Sequence, residues 1–192
     1  MTTTTPKPTP RDRLLDAAAE LFYREGTGTG IDALCKAAGV SKRSMYQLFD
    51  SKDDVLAAAL ERRAPGLEAW LLPAPGEPAE PRARILHVFG RLQEAAVEDA
   101  YRGCPFLATQ VELKDPGHPA SVTAARNKQH LADFFRAEAE RGGVDRPDLL
   151  TRQLMVVYDG ASARAGIGAD TLEGGLAVAT ASALLDAAGL TA

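Results

Sequence analysis

Ile31-Asp32-Ala33-Leu34-Cys35-Lys36-Ala37-Ala38-Gly39-Val40-Ser41-Lys42-Arg43-Ser44-Met45-Tyr46-Gln47-Leu48-Phe49 is the stretch whose reading decides the fold. Leu34 and Ala38 recur at helical spacing, so a short helix is predicted from about Ile31 to Ala38, with Thr29 or Gly30 at its cap. Gly39 ends it, since glycine tolerates the left-handed backbone a tight turn needs. Only Val40 separates that glycine from Ser41, which can cap a third helix running through Phe49. Small Ala38 allows two helices to cross closely, and Val40 plugs the core beneath the turn. The pattern is a helix-turn-helix.

On the N-terminal side, Thr9-Pro10-Arg11-Asp12 combines an N-cap, a proline at the first helical position and an acid at the third. Leu14, Leu15, Ala18, Leu21 and Phe22 make one apolar face as far as a stop at Gly26. Residues 1–8 lack periodicity and are expected to form a disordered tail. On the C-terminal side, Ser51-Lys52-Asp53-Asp54 caps a fourth helix, expected to end near Arg63 because five prolines lie between Ala64 and Pro81. Further apolar stripes predict helices over 82–101, 106–113, about 120–141 and from Pro147 to Gly166, and a last one opening at Asp170-Thr171-Leu172-Glu173. The expectation is an all-α chain of about nine helices without a strand. Residues 9–50 form the helix-turn-helix head, and 51–192 form a ligand-binding and dimerisation domain that 51–63 connects to the head.

The 192 residues suffice for a hydrophobic core, and 45% apolar with 25% charged residues is ordinary globular composition. No apolar run approaches the roughly 18 residues of a membrane span, and the Thr/Pro-rich start lacks the apolar core of a secretory signal, so no membrane and a cytoplasmic location are expected. Cys35 and Cys104 form no metal-ligand spacing with His87, His118 or His130, and neither a disulfide, a metal nor a cofactor is indicated. No catalytic constellation or phosphate-cradling loop is present, so an enzyme is not expected. The net charge of −4 speaks against nucleic acid until it is divided. Residues 1–63 carry ten basic and nine acidic side chains, the remainder twelve and seventeen. Within 36–52, Lys36, Lys42, Arg43 and Lys52 face Asp50 alone.

The run Ala37-Ala38-Gly39-Val40-Ser41-Lys42, followed by Met45-Tyr46, Phe49 and Ser51-Lys52 and preceded by a helix ending Arg24-Glu25-Gly26, resembles the TetR family of one-component repressors. The resemblance covers roughly residues 11–60; beyond Leu60 only helix number and order are similar. It implies a homodimer that binds a palindromic double-stranded DNA operator and releases it when a small-molecule effector binds. A recognition helix reads base edges with its N-terminal residues, here Ser41, Lys42, Arg43 and Ser44. Arg43 can donate two bonds to a guanine and Gln47 can pair with an adenine. Tyr46 and Lys52 resemble the family's phosphate-binding tyrosine and lysine, and Phe49 belongs to the core. The chain departs from the pattern at Arg43, where a small residue is common, at Leu48, where histidine is common, and at Gly30, where threonine is common. An operator therefore does not transfer from relatives, and Thr29 is the weaker phosphate ligand.

The last two helices are expected to form the dimer face, with Ala161, Ala165, Gly175, Ala179 and Ala183 small enough for close approach and Leu172, Leu176 and Val178 adding apolar area. Trp70, Phe89, Phe106, Gln110, Phe134, Met155 and Tyr158 are candidate pocket residues. Plainer readings remain beside these. Lys42, Arg43 and Lys52 also fit a solvated basic face, Tyr46 a half-buried packing residue, and the pocket residues plain core. Two other functions remain open at this level: a helical small-molecule-binding protein or enzyme with an incidental turn, and a DNA-binding regulator sensing redox through Cys104, at the start of a helix.

Overall fold

The computed structural model describes residues 7–191. Among them are nine α-helices, one 3-10 turn and no strand. The helices are α1 (Pro10–Glu25), α2 (Ile31–Ala38), α3 (Lys42–Leu48), α4 (Lys52–Leu71), α5 (Pro81–Ala96), α6 (Pro105–Leu113), α7 (Pro119–Arg141), α8 (Pro147–Gly166) and α9 (Leu176–Ala187).

The head forms where local signals agree. The Thr9 hydroxyl accepts from the Asp12 amide while the Asp12 carboxylate accepts from the Thr9 amide, both at 3.1 Å, a complete capping box. Gly39 adopts φ 62°, ψ 39°, and the Val40 amide donates to the Cys35 carbonyl at 3.0 Å, closing α2. Ser41 then caps α3 by accepting from the Ser44 amide at 3.0 Å. Leu14, Leu34 and Met45, one from each helix, are wholly buried, and Val55 and Leu56 of α4 close the same core.

Three boundaries differ from the sequence expectation. α4 continues eight residues past Arg63, straight through Pro65. An internal proline costs about 3 kcal/mol, but continuing the helix buries Leu71 and covers much of Leu67 and Trp70. At about 1.5–3 kcal/mol for each large apolar side chain fully buried, that outweighs the loss. Pro65 itself is exposed, so water can reach the carbonyl it leaves unpaired. α5 stops at Ala96 rather than near Tyr101, and residues 97–104 form a loop. The Asp170 carboxylate does not cap a helix; it accepts from the Leu172 amide at 2.9 Å in a turn. Leu172, Gly174 and Gly175 all take positive φ, delaying α9 to Leu176.

α4 packs on α1 at one end and on α7 at the other, so it belongs to head and body alike. In the body, α7 lies among α4, α5, α6 and α8, while α9 closes against α5 and α8. Phe89 and Phe135 stack at 5.7 Å between ring centres, and Tyr158 meets Phe89 edge-on at 6.5 Å. The 97–104 loop is pressed onto α8: a Cβ at Gly166 would lie 2.5 Å from the Arg102 and Gly103 backbone. A Cβ at Gly103, whose φ is +88°, would lie 2.9 Å from the Ser162 carbonyl oxygen.

Candidate nucleic-acid interface and ligand cleft

α3 is held by Met45 on its inner side and leaves Ser41, Lys42, Arg43, Tyr46 and Gln47 exposed. The Ser41 and Ser44 hydroxyls are 2.9 Å apart and bond each other while Ser41 caps the helix. Lys42 Nζ lies 2.8 Å from Asp32 Oδ1 of α2, both side chains exposed, and the hydrogen bond to Asp32 raises the lysine pKa. Arg43 makes no ion pair among the described residues. Tyr46 is 52% exposed, so its ring projects outward rather than into the core. Phe49 is half-buried, with the Arg11 guanidinium 5.2 Å above its ring.

Two residues expected at phosphates already have partners within the protein. Thr29 is buried and its hydroxyl donates to the Gly26 carbonyl at 2.9 Å, so it braces the α1–α2 turn instead of facing a backbone. Lys52 is half-buried; its ammonium donates to the Thr27 and Thr29 carbonyls at 2.8 and 3.4 Å. One of its three protons is left over.

The same turn is tied to the body. The Thr27 amide donates to Glu112 Oε2 of α6 at 2.6 Å. His118 has a mostly covered side chain: its Nδ1 accepts from the Ala120 amide at 3.1 Å, capping α7, and its Nε2 lies 3.3 Å from Asp53 at the start of α4. The Tyr23 hydroxyl of α1 accepts from the Arg102 amide at 2.9 Å.

A cleft of about 680 Å³ opens between α1, α4, the 97–104 loop and α8. Of the seven pocket candidates, Trp70 and Tyr158 line it. The others are dispersed. Phe89 is fully buried core, and Phe106 borders a small crevice between α4 and α7. Gln110 is half-buried on α6, and Phe134 sits under the Arg84 guanidinium at 5.7 Å. Met155 lies along the outer side of α8. The residues that sequence reasoning missed are Tyr23, Arg63 and Tyr101. Tyr23 sits in the last turn of α1 beside the core residue Phe22, so nothing in its position marked it. In the sequence Arg63 reads as a helix end and Tyr101 as the last residue of the fifth helix.

Cys104 borders the cleft as the N-cap of α6. Its thiol pKa is raised, because burial outweighs the nearby Lys128 charge and the Leu107 and Phe106 amides that favour the thiolate.

A three-helix head whose third helix presents a basic, hydrogen-bonding turn to solvent, carried on a helical body with its own cleft, is the architecture of a one-component DNA-binding transcriptional regulator. Residues 14–59 match the family described as "Bacterial regulatory proteins, tetR family". The fold matches a crystal structure from Streptomyces avermitilis described as a TetR transcriptional regulator (SAV143), with 58% identity, TM-score 0.92, and 94% of this chain and 98% of that one covered. It also matches SCO4454, a TetR-family regulator of Streptomyces coelicolor, at 26% identity and TM-score 0.84 over 93% and 95% of the two chains. In sequence it is similar to the HTH-type transcriptional regulator YjdC of Escherichia coli, 24% identical over 158 residues, which are 80% of this chain and 82% of YjdC. The chain belongs to the TetR family, and its relatives are transcriptional regulators rather than enzymes. Among the described residues no helix is long and apolar enough to cross a membrane.

Proposed function

We propose that this regulator is a homodimeric repressor that reads a palindromic operator with α3 and is released when a small molecule occupies the α1–α4–α8 cleft. The observation that carries the reading is the outward side of α3. Arg43 and Gln47 stand there, unpaired among the described residues, as donors suited to guanine and adenine edges, flanked by Lys42 and Tyr46 for phosphates. Lys52 adds a partly engaged phosphate donor at the start of α4, and Ser41 and Ser44 supply hydroxyls at the N-terminus of α3.

Dimerisation is supported by an apolar stretch on α8 and α9, where Val156 is 73% and Ile167 80% exposed, with Leu176 close to half exposed. Ala179 and Ala183 face outward with them, whereas Ala165 and Leu172 are buried within the protomer and Ala161 and Val178 are half-buried. The interface is thus built on a different subset of the two helices than their small residues alone suggested. A two-fold dimer places two recognition helices about 34–36 Å apart or a multiple of that, which calls for an inverted repeat.

Release is supported by where the cleft lies. One wall is α1 of the head, through Tyr23, and the others belong to the body. A ligand filling it contacts both parts directly, and it shifts their relative position only as far as its affinity for the two arrangements differs. Selection of bound fragments from random DNA tests the reading. An inverted repeat should be enriched, and Arg43→Ala should relax one symmetrical position in each half-site by about 1–3 kcal/mol. No enriched sequence, or a single half-site bound by a monomer, would overturn it.

A further inference from the structure

The cleft has a chemical character of its own. Tyr158 is 4% exposed and Tyr101 mostly buried, and neither hydroxyl hydrogen-bonds to any described residue. The Tyr23 hydroxyl accepts from the Arg102 amide, leaving its proton to donate. All three phenols border the cleft and have raised pKa values, chiefly because burial disfavours the phenolate, so at neutral pH each is a donor. Arg63 joins them. Its guanidinium lies over the Tyr23 ring, 4.2 Å from the ring centre, and pairs with no carboxylate among the described residues, so its N–H groups remain available.

The acids at the cleft are at its rim and largely occupied or hydrated. Glu20 pairs with Arg24 at 3.4 Å, and Glu98 and Asp99 are exposed. The inner wall therefore offers several donors and no anionic acceptor. Along the same wall of α4 as Arg63, Leu67 and Trp70 give apolar area, and the Trp70 ring is steadied by the Arg91 guanidinium 4.5 Å from its centre.

The phenol hydroxyls and the Arg63 guanidinium thus offer the cleft donors that no described residue takes up, and a guanidinium fork fits a carboxylate in two parallel bonds. We propose that the cleft binds a small organic carboxylate on a flat apolar body, its oxygens on Arg63 and the tyrosine hydroxyls and its body against Trp70. This rests on the reading of the cleft as the effector site and names the class of effector. A cleft of about 680 Å³ is within the usual size range for small-molecule sites.

Trp70 is the chain's single tryptophan, so intrinsic fluorescence reports this cleft directly. The full-length protein is titrated with benzoate, cinnamate and 2-naphthoate, with their methyl esters, and with benzyltrimethylammonium. Saturable change with at least one acid, its ester binding at least tenfold more weakly and the cation not at all, is the expected result. Arg63→Met should erase the preference for acid over ester, and Arg63→Lys should keep part of it. Tyr158→Phe, which preserves shape, should weaken the acid about three- to tenfold without altering the circular dichroism spectrum. Equal binding of acid and ester, tighter binding of the cation, or no acid bound at millimolar concentration overturns the proposal, whatever the DNA binding. A bound acid that leaves operator affinity unchanged overturns instead the effector reading beneath it.

Discussion

Glu112, near the end of α6, accepts a 2.6 Å hydrogen bond from the Thr27 amide in the turn between α1 and α2, so the body grips the head at the turn that leads into the helix-turn-helix. The fit depends on Gly26. A Cβ there would lie 2.9 Å from Glu112 Oε2, and its φ of +86° suits glycine. An exposed bond of this kind is worth about 1 kcal/mol. Glu112→Ala should therefore speed hydrogen exchange at the Thr27 amide about fivefold while leaving α3 amides unchanged. It should also narrow the ratio of operator affinities measured with and without effector. Unchanged exchange at Thr27 would remove this link.

Lys52 holds the same turn through the Thr27 and Thr29 carbonyls, so it serves the head's structure before any DNA is present. Lys52→Met should lower the melting temperature, at about 2–4 °C for each kcal/mol lost in a chain of this size. It should also reduce the slope of log K against log salt by about one. An unchanged melting point removes the clamp, and an unchanged slope removes the phosphate contact; the two outcomes are independent.

If Lys42 serves as a phosphate donor, Asp32 competes with DNA for it. Their ion pair, 2.8 Å and exposed, has to open if the ammonium is to reach a phosphate. Asp32→Asn removes both the competitor and a negative charge on the DNA-facing side, so it should tighten binding to all sequences, most strongly at low salt. Weaker binding in a mobility-shift titration at 50 mM salt would show instead that Asp32 orients Lys42 for its contact.

The head was legible in the sequence because its signals are local. Thr9 with Asp12, Gly39, and Ser41 with Ser44 each act within four residues, and the structure uses each of them as capping and turn chemistry predict. The body was less so, since its decisive interactions are distant in sequence. Pro65 marks a helix end by local rules, yet α4 continues because α7 covers Leu71 and Ala64. Tyr23, Arg63 and Tyr101 lie on three separate segments and meet only when α1, α4 and the 97–104 loop are assembled. Large apolar residues such as Phe89 and Met155 looked like pocket in the sequence, but Phe89 is core and Met155 is half-buried on the outer side of α8.

Gly166 fixes the loop that carries Tyr101. With a Cβ placed 2.5 Å from the Arg102 and Gly103 backbone, Gly166→Ala forces the loop off α8, because neither backbone can move aside as a flexible side chain would. Overpacking of this kind costs about 1–3 kcal/mol. The loop meets the head at Tyr23 of α1 and lies away from α2 and α3, so operator binding by the folded variant should persist while Trp70 fluorescence shifts and ligand response weakens. Unaltered fluorescence together with full ligand response would show that the loop does not shape the cleft.

Burial sets the behaviour of Cys104 and of the tyrosines around it, and the sign can be tested. Cys104, Tyr101 and Tyr158 all have raised pKa values in the folded chain, chiefly through desolvation. The unfolded chain releases these protons first, so between the unfolded and folded pKa values the native state binds more protons, and stability falls as pH rises. Below about pH 8, under the ordinary cysteine and tyrosine values, the contribution is fully present. The melting temperature should therefore decline from about pH 9 upward, and Tyr158→Phe should make that decline shallower. The Cys104 thiol should also react slowly with an aromatic disulfide reagent at pH 7, with both cysteines appearing only in denaturant. Rapid modification of Cys104 in the native protein, accompanied by a change in operator affinity, would establish it as a redox sensor and displace the cleft as the point of control.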